Sequence, residues 1–234
     1  MKGVIVAAGL SSRIRRDMEL DVPKCMMEIN GKAIIDRVIE TFISVGIDEI
    51  AIVVGWNKEK IIDHVGTDVT YIFNPFYAFT NNMASLWCVK RWVGKSIFLY
   101  THSDVIYNPK LIEMTIAGTG EINLLVDPSS IDDEAMKVKL DASRSFLESS
   151  KQIPASEAYG EWTGLIKFGN RGWTEMVLSV ENKLKEGRLQ AYDTEAINCI
   201  PKKAELIRVI DTNGLPWIEI DTKRDYEKAK KLFE

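Results

Sequence analysis

The sequence predicts an α/β protein: a mostly parallel mixed sheet flanked by helices, with a small antiparallel addition in its second half. Two observations carry this expectation. Short apolar runs alternate with helix-period segments over roughly the first 115 residues, the pattern of successive βαβ units. Beyond them, strand-like segments follow one another without full helices between. The length of 234 residues suits one domain with a substantial core.

Each element has a local reason. Lys2 to Ala7 reads as a buried parallel strand, ended by Gly9 and polar residues. From Lys32 the residues Ile34, Ile35, Val38, Ile39, Phe42 and Ile43 recur at helical spacing, and Gly46 supplies a stop. Glu49 to Val54 is a second strand, after which Asn57 is expected to cap a short helix. Val69 to Phe73 is a third, followed by the turn Asn74-Pro75 and a polar-aromatic loop. A helix is predicted from Asn81-Asn82 to about Trp92, then a strand from Ser96 to Thr101. Asn108-Pro109 is a suitable N-cap and first-turn pair for the next helix. In the second half, Ile122 to Val126, Lys137 to Leu140 and Thr163 to Phe168 read as strands, and Asn170 to Lys185 as the longest helix. Trp217 to Ile220 is a short strand, and Thr222 with Asp225 forms a capping pair for the last helix. No repeat or linker divides the chain, so residues 1–234 are expected to be one domain. About 1–120 would form one part and about 121–234 the other.

Composition excludes several classes. Lys and Arg number 30 against 34 Asp and Glu, a net charge of −4 with no basic run, so no electrostatic case exists for nucleic-acid or membrane partners. No apolar run approaches the roughly 20 residues of a membrane helix, and the N-terminus lacks a signal peptide's cleavage site. Cys25, Cys88 and Cys199 are odd in number and far apart, fitting neither a disulfide framework nor a zinc site, so a reduced, cytoplasmic setting is expected. With only His64 and His102, a histidine-based metal centre is not expected.

The most informative segment is Val4 to Lys24. A strand runs into Ala7-Ala8-Gly9, small residues that admit a ligand close to the backbone. Ser11, Ser12 and Arg13 follow, and Pro23-Lys24 comes shortly after. Free backbone N–H groups with nearby cations suit a triphosphate, and the loop lies at the carboxyl end of the first strand, where open α/β sheets bind ligands. It matches neither the P-loop nor the GxGxxG pattern.

The run A-A-G-x-x-S-R, then P-K, then Asn30-Gly31-Lys32, resembles the nucleotidyltransferases that activate sugar phosphates and related phosphoesters. Asn81-Asn82-x-x-Ser85-Leu86-Trp87 narrows the resemblance to bacterial phosphocholine and aminoethylphosphonate cytidylyltransferases. So do Met136-Lys137-Val138, Ser150-Lys151-x-Ile153, Gly160-Glu161 before Gly164, and Trp217-Ile218-Glu219-Ile220-Asp221. The resemblance implies a Rossmann-like sheet of the GT-A type.

It also implies roles. The main chain of Ala7, Ala8, Gly9, Leu10, Ser11 and Ser12 would line the base and phosphates of CTP, with Asn82 and Ser85 as further nucleotide contacts. Arg13 would neutralise the β- and γ-phosphates, Lys24 the charge that develops during transfer, and Lys151 would clamp the acceptor phosphate. Asp104 and Asp221 would share a Mg²⁺, an ion suited to one or two carboxylates plus phosphate oxygens and water. Ser103, preceded by His102, stands where these enzymes usually have Gly before the metal Asp.

The partners implied are CTP and a small phosphorylated or phosphonate acceptor, with monomer and homodimer both open. Tyr159, Trp162, Tyr192 and Trp217 with Glu161 and Glu219 would form an aromatic-acidic pocket for a quaternary ammonium or amine. Two alternatives stay open. One is a sugar or inositol 1-phosphate acceptor with UTP or CTP, contacted by Asn81, Asn82, Asp193 and Asn198; the other is a non-catalytic nucleotide-binding module.

Overall fold

A computed structural model describes the chain apart from residues 20, 130, 133, 202–205 and 234, and apart from the side chains of residues 12 and 13. β1 (Lys2–Ala7) leads into α1 (Ser12–Asp17), and a 3-10 turn (Lys24–Met26) precedes the hairpin β2 (Glu28–Ile29) and β3 (Lys32–Ala33). Then come α2 (Ile34–Ser44), β4 (Glu49–Val54), α3 (Lys58–Val65), β5 (Thr70–Phe73), α4 (Asn82–Cys88) and α5 (Lys90–Val93). β6 (Phe98–His102), β7 (Val105–Tyr107), α6 (Pro109–Ala117) and β8 (Ile122–Asp127) follow. The second half holds β9 (Lys137–Leu140), β10 (Phe146–Ser150), β11 (Gly160–Phe168), α7 (Asn170–Lys185), α8 (Asp193–Ile197), β12 (Ile207–Asp211), β13 (Trp217–Glu219) and α9 (Lys223–Leu232).

These strands build a nine-stranded sheet. β1 lies between β4 and β6, parallel to both, and β5 extends the sheet beyond β4. β11 reverses direction beside β6 and pairs with β9 at one end and β8 along the rest, all antiparallel. Both faces are covered, which explains the continuous apolar strands. In β1, Val4 joins one core with Tyr100, Phe168 and Trp173, and Ile5 joins the other with Ile34, Phe42 and Leu165.

Several sequence expectations shift. The helix expected from Lys32 starts at Ile34, because Asn30 (φ 51°) and Gly31 (φ 76°) turn a hairpin that takes Lys32 and Ala33 into β3. The helix from Asn82 is interrupted at Val89. Asn57 makes no side-chain cap on α3; its Nδ2 donates instead to the Asp21 carbonyl. The Asn108-Pro109 start and the Thr222–Asp225 capping box are as expected. β12 and β7, both unanticipated, pair with β8 and β13 respectively. Among the described residues no helix is long and apolar enough to cross a membrane.

Candidate active site

A cavity of about 260 Å³ opens where β1 and β6 end. Its floor is the loop after β1, in which Ser11 takes a left-handed φ of 52° at the start of α1. Gly55, just beyond β4, is required here: a Cβ on it would lie 2.4 Å from the Ala8 carbonyl oxygen and 2.7 Å from Tyr77 Cβ.

The charged centre is assembled by the two-stranded ladder of β7 and β13. Asp104 sits in the turn between β6 and β7, and Asp221 follows β13. Glu219 pairs with Val105 in that ladder, and the Ile220 N–H donates to the Asp104 carbonyl at 3.0 Å. The two carboxylates therefore converge, and Lys24 stands between them, its Nζ donating to Asp104 Oδ2 at 2.7 Å and Asp221 Oδ1 at 2.5 Å. Burial alone would discharge Lys24, but Asp104 and Asp221 outweigh it and hold the ammonium well above its ordinary value. Burial likewise works to raise Asp104, yet Lys24 and His102 keep its carboxyl below the usual range.

The donor set fits a Mg²⁺ ion. Among the described residues Asp104 Oδ1, which is buried, finds no hydrogen-bond partner, and it belongs to a carboxylate pair that already gathers around one positive charge. His102 comes close as well: a ring nitrogen of it lies within 4.8 Å of carboxylate oxygens on Asp104 and Glu219.

His102 is held from behind by a network that the sequence reading missed. Its Nε2 lies 3.3 Å from Asp193 Oδ2 and 3.1 Å from Asn82 Nδ2. Tyr100 OH donates to the same Asp193 oxygen at 2.7 Å, and the Asp193 N–H donates to Asn82 Oδ1 at 3.0 Å. Burial would lower the imidazole, but the Asp193 carboxylate, helped by Asp104, raises it to about 9. The buried Tyr100 ring and the Tyr192-Asp193 helix start were the available signals.

The cavity brings together Ala7, Ala8, Gly9, Ser11, Lys24, Asn82, Ser85, Asp104, Lys151, Glu161, Trp162, Tyr192, Glu219 and Asp221. Other expectations need correction. The Leu10 side chain is 39 % exposed and is not part of the cavity lining, so the part expected of this residue rests on its main chain. Tyr159 lies elsewhere, donating to Asp211 at 2.7 Å beside Arg144. Trp217 lines the neighbouring cleft, where its Nε1 donates to Asp127 Oδ2 at 2.7 Å. The side chains of Arg13 and Ser12 lie outside the described residues. Asp193 is fully buried, and Asn198 is spent on the backbone of Ser149, so neither is available to a sugar hydroxyl.

Ser85 Oγ accepts from the buried Asn74 at 3.1 Å, and Lys151 Nζ lies 3.5 Å from Glu134 and 6.0 Å from the Tyr192 ring. Glu161 is pushed up to about 8 by burial and by the carboxylates of Glu219, Asp132 and Asp127, with Lys151 opposing them. Its folded-state value thus exceeds the unfolded one, so the folded chain binds the extra proton and loses stability as pH rises from about 4.5 to about 8. Glu161→Gln is expected to raise the melting temperature at pH 8.5 and to change it little at pH 4.5. An equal shift at both values counts against the buried-carboxyl account.

The model of the MobA-like NTP transferase domain matches residues 3–127. The chain is 27% identical to the CTP:phosphoglutamine cytidylyltransferase of Campylobacter jejuni, over 97% of this chain and 98% of that one. It is 24% identical to the CMP-5'-(3-aminopropyl)phosphonate synthase of Streptomyces rubellomurinus, spanning 100% of this chain but 39% of the longer relative. Among solved structures, a CTP:phosphocholine cytidylyltransferase from Streptococcus pneumoniae superimposes with a TM-score of 0.77 at 23% identity, covering 100% and 99% of the two chains; this likeness shows the fold.

Proposed function

The chain belongs to the MobA-like NTP transferase family, and from that premise we propose a Mg²⁺-dependent cytidylyltransferase acting on a small phosphorylated or phosphonate amine. CMP would pass from CTP to a phosphate or phosphonate oxygen of the acceptor, with release of pyrophosphate. The observation that carries this reading is the convergence of Lys24, Asp104 and Asp221 beside the Ala7–Ala8–Gly9 loop, in the cavity that Lys151 also lines. The cytidylyl relatives support the nucleotide and the class of acceptor.

The acceptor oxygen is already anionic at neutral pH, so attack on the α-phosphorus needs no strong general base. Catalysis then reduces to positioning and charge neutralisation. The loop N–H groups after β1 would hold the nucleotide phosphates, and Lys24 would meet the charge that builds during transfer. Asp104 and Asp221 would hold the Mg²⁺, which offsets triphosphate charge when bound. Lys151 would bind the acceptor phosphate, with Trp162 and Tyr192 beside it to face an ammonium group.

Pyrophosphate release with CTP, UTP, ATP and GTP tests this, each paired with phosphocholine, 2-aminoethylphosphonate, inositol 1-phosphate and glucose 1-phosphate. Turnover with CTP and an aminated acceptor is the expected result. Turnover confined to a sugar or inositol phosphate discards the amine pocket, and CTP binding without turnover on any of the four acceptors discards the phosphocholine-type acceptor.

A further inference from the structure

Three electron-pair donors meet at the cavity, each with an atom that no hydrogen bond occupies. A ring nitrogen of His102 and one carboxylate oxygen from each of Asp104 and Glu219 lie within 4.8 Å of one another. Lys24 takes Asp104 Oδ2 at 2.7 Å and leaves the buried Oδ1 without a partner among the described residues. Among the same residues, neither the Glu219 carboxylate nor His102 Nδ1 makes a hydrogen bond. Two ligand atoms each about 2.1 Å from one ion lie up to about 4.2 Å apart, so small side-chain adjustments close this set.

The imidazole is oriented as a ligand. Its Nε2 faces the fully buried Asp193, 3.3 Å from Oδ2, and donation there leaves the Nδ1 lone pair for a metal. A carboxylate behind the ring is the usual support of a metal-bound histidine, fixing tautomer and direction together. The competing arrangement, a bare Nε2 accepting from Asn82 Nδ2 at 3.1 Å, would set its lone pair against that carboxylate. Gly164 stands on the Nδ1 side of the ring, where a Cβ would lie 3.2 Å from Nδ1. A side chain there would crowd the nitrogen that the ion needs.

We propose that His102 Nδ1 and Glu219 join Asp104 as direct ligands of the divalent ion, with Asp193 as the positioning residue behind the histidine. The proton displaced from Nδ1 passes to solvent. A nitrogen in the set favours manganese and its later first-row neighbours over magnesium, whose ligands are oxygens. The inference rests on the metal reading of Asp104 above and deepens it.

The test uses Mn²⁺ and Mg²⁺ on the full chain without nucleotide. Pulsed electron paramagnetic resonance of the Mn²⁺-loaded protein is expected to show coupling to an imidazole nitrogen. That coupling should vanish in His102→Gln, which retains only His64 of the two histidines. By calorimetry, the same variant should lose about tenfold in Mn²⁺ affinity, about 1.4 kcal/mol, and stay within about twofold for Mg²⁺. Asp193→Asn should keep the nitrogen coupling and weaken Mn²⁺ binding about 10- to 100-fold. Melting in the presence of a chelator controls for fold, and the wild-type spectrum decides the matter even if a variant fails to fold. No nitrogen coupling on bound Mn²⁺, no measurable Mn²⁺ binding, a coupling that survives His102→Gln, or equal losses for both ions in that variant each overturn the proposal. Nitrogen-coupled Mn²⁺ without CTP turnover removes the cytidylyltransferase reading alone, and turnover without nitrogen coupling removes the histidine ligand alone.

Discussion

Asp104→Asn is expected to lower kcat by about 10²–10³ or more at saturating Mg²⁺, the scale of removing about 3–4 kcal/mol of charge stabilisation. CTP affinity measured without metal should stay within a few fold, because the nucleotide would rest on the loop after β1 and not on this carboxylate. The substitution keeps one oxygen for Lys24 and removes the charge from a group whose Oδ1 has no hydrogen-bond partner among the described residues. Fold loss is therefore a small part of the expected effect, and thermal unfolding serves as the control. Turnover close to wild type would remove Asp104 from the ion's coordination.

Lys24→Met is expected to produce the largest stability loss, about 2–3 kcal/mol. Breaking a buried pair costs about 3–5 kcal/mol, and the figure is reduced here because Asp221 is 40% exposed. In the variant Asp104 and Asp221 face each other without the intervening ammonium. Added Mg²⁺ should therefore raise the melting temperature more in Lys24→Met than in wild type. The pH dependence has a definite sign. Asp104 is depressed by Lys24, so its contribution is present above its ordinary value and is lost as pH falls through the lowered one. In the variant the carboxylates repel when ionised, so its deficit should shrink on acidification below about pH 4. A variant of unchanged stability and no added response to Mg²⁺ would sink the bridging role.

Much of this architecture was legible in the residues. The apolar runs of β1, β4 and β8 are buried on both faces, and such strands announce themselves by composition. The caps at Asn108 and Thr222 act over three or four residues, within reach of sequence reading. The small residues Ala7, Ala8 and Gly9 at the end of β1 are equally local, and the cavity lies against them. For the acceptor, aromatic type was a poor guide: Trp162 and Tyr192 line the cavity, whereas Tyr159 and Trp217 carry their polar tips to Asp211 and Asp127.

The sequence by itself determined the α/β alternation, the loop after β1 and the identities of Lys24, Asp104 and Asp221. Tertiary structure alone decided that the three meet, because the short β7 and β13 acquire strand geometry only by pairing with each other across the chain. It also decided that His102 is braced by Asp193, a residue 91 positions away. The reason is one of range: propensity, capping and periodicity act between near neighbours, while convergence of charge is fixed by contacts whose partners the local chain does not contain.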